Sequence, residues 1–503
     1  MPVAFARTLV VALSLSVISV AAAATLPAQK LSSAMSEATP SQQLRMGWTA
    51  AEQGDYPRAR ALLERLRADP RLARSGNEMQ AGTYELEAWL TLEEKRTEDA
   101  LGLLLKAQAL TPERTYPRDM RALFYTRAGR PADAARALCE ALAWDAGNAS
   151  ERFRPALVNH LTQVLRDDDA SLQPLLQALF DAQWTDEGQD PQYRWAKLAQ
   201  LQADAGQSDA LQRTVDHIDQ PMPLLFLSFD RRFNAAMARR ATPITVDDAL
   251  APYVVLLRGD VQAHPNQLAR INALLGGLLQ AGDNTGLLDA SAAFADATPA
   301  FYAHDDEALM QMAWLLNLRA EAQRRLGQTD AAVATLRHAM TFGTDGHPAV
   351  SQQLNLALWL ADDRQPAQAL ALMDELHDIS DYGRSVADLV RVVAYQQLGD
   401  TAGVSRATAA IAGRGNSDRE PYIHALLAQE RLDEAATEII ARLHDPQTRQ
   451  LTLQFVQDYG DIPKWPLDAQ RMARKQQVLQ RDDVREAIAA VGTRGRYALY
   501  PFE

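Results

Sequence analysis

The chain has 503 residues, 47% of them hydrophobic and 23% charged, the proportions of a folded chain rather than a disordered or collagen-like one. Its 51 Lys and Arg against 64 Asp and Glu leave a formal charge of −13, which argues against a general nucleic-acid binder or an electrostatic membrane-surface binder, since both need a basic face. Aromatics are only 7% and helix formers such as Ala, Leu, Gln, Arg and Glu abound, so a β-sandwich or barrel is not expected; the length suits about two to four domains or one long solenoid.

At the amino terminus Arg7 supplies a positive start, residues 8–20 an apolar stretch, and Ala21, Ala22, Ala23 and Ala24 the small residues of a cleavage site. Residues 1–24 are therefore predicted to be a secretory signal, cleaved near Ala23 or Ala24, which makes the protein periplasmic or secreted. An uncleaved anchor is the alternative, because no charge falls between Arg7 and Lys30. Residues 25–40, rich in Ser, Ala and Thr, read as a flexible linker. Later apolar runs such as 224–227 and 253–257 are too short to span a bilayer, so the mature chain is expected to be soluble. Cys139 is the only cysteine; no intramolecular disulfide can form, and the thiol reads as a small buried hydrophobe.

From residue 41 onward the sequence repeats. Gly54-Asp55-Tyr56-Pro57-Arg58-Ala59 leads to Leu63, Gly129-Arg130-Pro131-Ala132-Asp133-Ala134 to Leu138, and Gly327-Gln328-Thr329-Asp330-Ala331-Ala332 to Leu336. Each reads as a turn opening a helix, with alanine at one offset and a large apolar residue one helical turn later. Weaker copies place the alanine at Ala100, Ala369 and Ala435, followed by Leu104, Met373 and Ile439. The intervals are 41 residues from Ala59 to Ala100, 34 to Ala134, 37 from Ala332 to Ala369 and 66 from Ala369 to Ala435, the last being two units of 33. Between Ala134 and Ala332 lies room for about five degenerate units, with Ala210 and Leu287 as candidates. A small residue at the start of a second helix lets the first lie against it, and the larger one fills the groove between them. Pro70, Pro112, Pro299 and Pro446 then stop the second helix.

Two regions depart from the pattern. Residues 216–265, with Gln220-Pro221-Met222-Pro223, the apolar 224–229 and then Arg231, Arg232, Arg239 and Arg240, read as an irregular, proline-bounded connection between helical repeats at 41–215 and 266–446. Residues 447–503 read as a terminal cap: a solvated helix over 468–481, another over 482–491, and an extended tail from Arg494.

The pattern resembles the tetratricopeptide repeat (TPR) family, whose unit is a helical hairpin of about 34 residues. The residues that carry the resemblance are Gly47, Gly54, Tyr56 and Ala59; Ala88, Ala100, Ala107 and Pro112; Ala122, Tyr125, Gly129, Ala134 and Ala141; and Ala320, Gly327, Ala332 and Ala339. The resemblance implies an all-α, right-handed superhelical solenoid of antiparallel helix pairs, with 216–265 as the place where two halves would meet. For exported bacterial chains of this type it implies a non-enzymatic scaffold that binds a protein or peptide partner in envelope assembly or secretion. The alternatives are the helical component of an exopolysaccharide export system or a glycan-active enzyme. Trp48 and Trp89 each stand eleven residues before their alanine, an offset that in the resembled family faces the concave groove; packing between neighbouring repeats is the other reading of both. Asn317, Glu321 and Arg324 share one face of a first helix at i, i+4 and i+7, offering polar contacts in the same groove or, in the plainer reading, a solvated surface. The Lys and Asn set with which some family members clamp a carboxylate terminus is not evident.

No motif for chemistry accompanies these residues. The nine histidines lie at no metal-site spacing, and H-E-x-x-H, G-x-S-x-G, a phosphate loop and a dinucleotide fingerprint are all missing. One cysteine cannot build a zinc–cysteine site, so neither cofactor nor metal is expected. His304-Asp305-Asp306-Glu307 reads as acids at a helix start, Asp167-Asp168-Asp169 as a polar loop, and Asp362-Asp363 as a replacement for a turn glycine.

Overall fold

The computed structural model describes residues 38–500 apart from 375, 377, 378 and 415–419. The predicted signal, nearly all of the predicted linker and residues 501–503 of the tail lie outside the described residues. Among those described, the chain is helix and turn with isolated β-bridges, and it divides into two compact units, Met1–Ala205 and Gly206–Glu503.

In the first unit, α1 (Pro40–Glu52) pairs with α2 (Tyr56–Ala68), α3 (Asn77–Glu93) with α4 (Thr97–Leu110), and α5 (Tyr116–Arg127) with α6 (Pro131–Trp144). The helices α7 (Ala149–Arg152), α8 (Pro155–Val164), α9 (Asp169–Asp181) and α10 (Gln192–Asp204) complete it. The second unit begins with α11 (Ser208–His217), α12 (Pro221–Phe229), α13 (Asn234–Ala238) and α14 (Val246–Ala263). It continues with α15 (Leu268–Gln280) and α16 (Asn284–Ala290), then α17 (Pro299–Tyr302), and then three pairs: α18 (Asp306–Arg325) with α19 (Thr329–Met340), α20 (Val350–Asp362) with α21 (Pro366–Asp374), and α22 (Asp381–Leu398) with α23 (Thr401–Ala412). A last pair, α24 (Glu420–Ala428) and α25 (Leu432–His444), precedes α26 (Arg449–Phe455), α27 (Pro466–Leu479) and α28 (Asp482–Val491).

One backbone device recurs in every pair. The residue five before the repeat alanine has positive φ: Gly54 (76°), Gly129 (70°) and Gly327 (74°), but also Lys95 (62°), Arg364 (62°) and Glu430 (59°). Glycine adopts this conformation freely and other residues pay for it. The three non-glycine turns are those of Ala100, Ala369 and Ala435, the weak copies of the sequence pattern. Gly399 (71°) marks the unit inside the 66-residue interval. Arg364, not Asp362 or Asp363, is thus the residue that replaces a turn glycine. Ala59, Ala100, Ala134, Ala332, Ala369 and Ala435 are all fully buried, as close helix approach requires. Side chains link neighbouring hairpins at the repeat interval: Arg127 reaches Glu93, Arg130 reaches Glu98, and Arg152 Nη2 lies 2.6 Å from Asp119 Oδ1.

The acid clusters serve helix starts. Asp305 caps α18 by accepting from the Ala308 N–H at 3.0 Å, and Asp168 caps α9 by accepting from the Ser171 N–H at 3.2 Å. Among the described residues no group of three or more His, Cys, Asp or Glu side chains could hold a metal ion, and no helix is long and apolar enough to cross a membrane. Cys139 is half-buried, and burial pushes its thiol up to about 11.

Residues 216–265 are not an irregular connection. They hold α12, α13 and α14, and Leu224, Leu225, Leu227, Phe229 and Phe233 are core residues. Pro221 and Pro223 stand in the first turn of α12, where a missing N–H costs no intrahelical bond, so they start a helix rather than break one. Pro299 likewise opens α17 instead of ending a helix. The terminal cap also differs from expectation. The chain after α28 is irregular but tethered: Thr493 N–H donates to Phe229 O at 2.8 Å, the Ser228 and Tyr497 hydroxyls are 3.0 Å apart, and Leu499 is buried. With α26 packed on α12, the last elements of the second unit meet its first.

Candidate functional site

The first unit brings Trp48 and Trp89 together. Two glycines make this possible: a Cβ on Gly47 would lie 2.6 Å from Leu86 Cδ2, and one on Gly82 would lie 2.9 Å from Leu44 Cδ2. Each glycine of α1 or α3 thus receives a leucine of the other helix, which draws the two axes close. The indoles are half-buried, with centroids 6.5 Å apart and planes tilted by 58°. Tyr116, at the start of α5, stands edge-on to Trp48 at 6.4 Å, and buried Phe124 supports Trp89 at 6.2 Å. The two tryptophans pack between repeats, and each keeps some surface open.

Charge surrounds this aromatic group. The Arg127 guanidinium lies 4.4 Å from the Trp89 centroid and is ion-paired with Glu93, a stacking contact suited to a cation over an indole face. Glu85, one helical turn before Trp89, is buried, with Oε1 3.0 Å from Arg114 Nη1. Burial holds its carboxyl above the ordinary carboxylate range, against the opposing pull of Arg114. The Tyr116 hydroxyl is raised chiefly by burial and then by the Glu85 charge. Glu85 could have been picked out by its i, i+4 relation to Trp89; nothing in the sequence marked Tyr116 or Arg127.

The second unit treats its candidates differently. Asn317 Oδ1 accepts from Asn355 Nδ2 at 2.9 Å, tying α18 to α20. Glu321 and Arg324 are buried, not solvated and not open: Glu321 Oε1 is 2.6 Å from both Arg324 Nη2 and Arg325 Nε. Arg324 in turn donates to the Pro463 carbonyl at 2.5 Å. The Pro463 stretch leads into α27, expected as a solvated helix. It carries buried Asp468, Arg471 and Lys475 and packs on α20, α24 and α25. Arg471 makes a two-armed pair with buried Asp362, one arm at 2.7 Å, and reaches Asp468 at 3.1 Å. The Asp362 carboxyl is raised by burial, with Arg471 pulling the other way. Glu85 and Asp362, whose carboxyls burial raises, each face an arginine.

Hairpins with a shared turn conformation and a buried alanine five residues on define a TPR-like helical-repeat protein. No protein-family model matches the chain, and no curated protein matches it. Solved structures that resemble it include the Cut9–Hcn1 hetero-tetramer of APC/C (13% identity over 92% of this chain and 91% of that one, TM-score 0.28). Others are the P58(IPK) TPR domain (15%, 88% and 100%, TM-score 0.20) and yeast Tom70 (12%, 90% and 99%, TM-score 0.20). Likenesses of that size carry no weight alone; the helical-repeat class rests on the hairpins themselves.

Proposed function

We propose that this chain is a non-enzymatic, exported helical-repeat scaffold whose first unit binds a protein or peptide segment in envelope assembly or secretion. One observation carries the binding reading: Trp48, Trp89 and Tyr116 form a partly open aromatic group within 6.5 Å on the first helices of successive hairpins, rimmed by the Glu85–Arg114 and Glu93–Arg127 pairs. Aromatic anchors inside a polar rim are what binding hot spots are made of, and an apolar helix face or an extended chain is what such a groove takes. Export rests on the sequence of residues 1–24 alone.

The test is a pull-down from an envelope extract with the mature chain, with Trp48→Ala and Trp89→Ala in parallel. A partner recovered by the natural chain and lost with either variant, at unchanged helicity, supports the reading. Recovery of nothing specific, or of the same proteins by all three, removes it. Amino-terminal sequencing of the chain purified from cells tests export, with a start near Thr25 expected.

A further inference from the structure

After α26 the hairpin pattern ends, and the rest of the chain is laid onto the repeats that precede it. Residues 457–465 run without helix. On the way, Pro463 O accepts from Arg324 near the end of α18, and the Trp465 ring meets Trp359 of α20 at 5.9 Å. Next α27 sets Arg471 on Asp362, the last residue of α20, and Arg474 on the last carbonyls of α24, Leu427 O at 3.0 Å and Ala428 O at 2.7 Å. Finally Tyr500 N–H donates to Gln280 O at the end of α15 at 2.8 Å, with its ring filling the space beside Gly282 and Gly460, where a Cβ would lie 2.4 and 2.6 Å away.

The segment thus visits the carboxyl-terminal ends of four first helices, α15, α18, α20 and α24, and brings arginine to two of them, where the helix dipole is negative. An aromatic anchor, charge pairs and main-chain hydrogen bonds are the means by which a ligand chain is read by a helical face. The seam is also incompletely satisfied. The Trp465 indole N–H and the Gln280 side-chain oxygen are buried without hydrogen-bond partners, and each such group subtracts from what docking gains. A continuation of the repeat would instead present a positive-φ turn ahead of its second helix, and no residue of 457–500 has that conformation.

We propose that residues 457–500 are an internal ligand of the second unit, held on the ends of its first helices and on the second helix α25, and exchanged for a partner segment of the same chemistry: a proline-flanked tryptophan followed by an arginine-bearing helix. The exchange does not involve the aromatic group of the first unit and stands or falls apart from it. Two measurements test it. In native-state hydrogen exchange of the unaltered chain, the amides of 466–479 should open in an event that leaves α18, α20 and α22 protected; opening only together with those helices overturns the proposal. In the second, a fluorescent peptide of residues 457–481 is titrated into the full chain and into Arg471→Met. A docked strap lowers apparent affinity by the fraction of time it is off, so the variant should bind the peptide about 100-fold or more tightly than the natural chain. A folded Arg471→Met chain that binds no better overturns the proposal, and if that variant does not fold, the exchange result on the unaltered chain decides.

Discussion

The two units carry one repeat and use its first-helix face in opposite ways. Eleven residues before the repeat alanine, the first unit has Trp48, Trp89 and Leu123, and the second has Glu321, Leu358 and His424. The tryptophans pack edge to face and keep surface open. Glu321 instead orients Arg324 toward Pro463, and His424 packs at 5.5 Å on Phe455, the ring over which Lys475 of α27 sits at 4.0 Å. Register therefore fixes where a face lies, while residue chemistry decides whether it stays open or is covered by the chain itself. An indole gains from partial burial and tolerates partial exposure; a buried carboxylate requires a fixed counter-charge, and the second unit supplies it.

The largest break in that comparison should come from Arg471→Met. It leaves the Asp362 carboxylate, 3% exposed, without its cation, which costs up to about 3–5 kcal/mol, whereas replacing both partners by apolar residues is close to neutral. Urea unfolding followed by segment-resolved hydrogen exchange should show the loss in the second unit alone, with Asp362→Leu plus Arg471→Met recovering most of it. A loss shared by α1 to α6 would mean that the first unit depends on the same pair. Next in size is Ala100→Leu, which forces extra volume between α3 and α4 and should cost about 1–3 kcal/mol. Ala369→Leu should cost a similar amount in the second unit, since both alanines are fully buried; unequal losses in denaturant titrations would show that the repeat contact differs between the units.

Much of this was legible in the sequence, and the gaps have physical causes. Where glycine marked the turn, as at Gly54, Gly129 and Gly327, the hairpin could be read directly. At Lys95, Arg364 and Glu430 the same conformation is imposed by the hairpin on residues that do not announce it. The prolines of 221–223 were read as a break because a proline in the first turn of a helix looks, in sequence, like one after its end. Trp48 and Trp89 followed from register, but Tyr116 comes from the start of a helix two hairpins along, a relation that only the packing reveals. Asn317, Glu321 and Arg324 were read from helical spacing alone; what meets Arg324 arrives 139 residues later, beyond the reach of any helical period.

A pH series sharpens the role of charge at the open face. The Glu85 carboxyl is raised by burial above its ordinary value of 4.5, so the folded state favours its protonated form. Stability from this group is complete below the unfolded pKa and is lost as pH rises through the folded one. In Glu85→Gln that loss is removed, and the variant should gain on the natural chain between about pH 4 and 7. Denaturant titrations at both pH values check the sign, and a variant that falls further behind at pH 7 would show that the Arg114 pair outweighs burial.

The smallest effect concerns the turns that gave the repeat its form. Lys95 is exposed and holds φ at 62°, a conformation that costs a residue with a Cβ about 1–2 kcal/mol, while glycine there loses about 0.5–1 kcal/mol to the flexibility of the unfolded chain. Lys95→Gly should therefore stabilise the second hairpin by a few tenths to about 1 kcal/mol. Gly54→Ala, at φ 76° with no atom near the new Cβ, should do the reverse on strain alone. Glu430→Gly should give little or nothing, because the same change removes the carboxylate that Arg474 of α27 pairs with. Thermal unfolding of the three variants separates them: a gain at Lys95, a loss at Gly54 and near-neutrality at Glu430 would place the difference between the units in what the final segment adds to an otherwise common turn. Equal gains at Lys95 and Glu430 would mean that the Arg474 pair contributes nothing to holding α27 on the second unit.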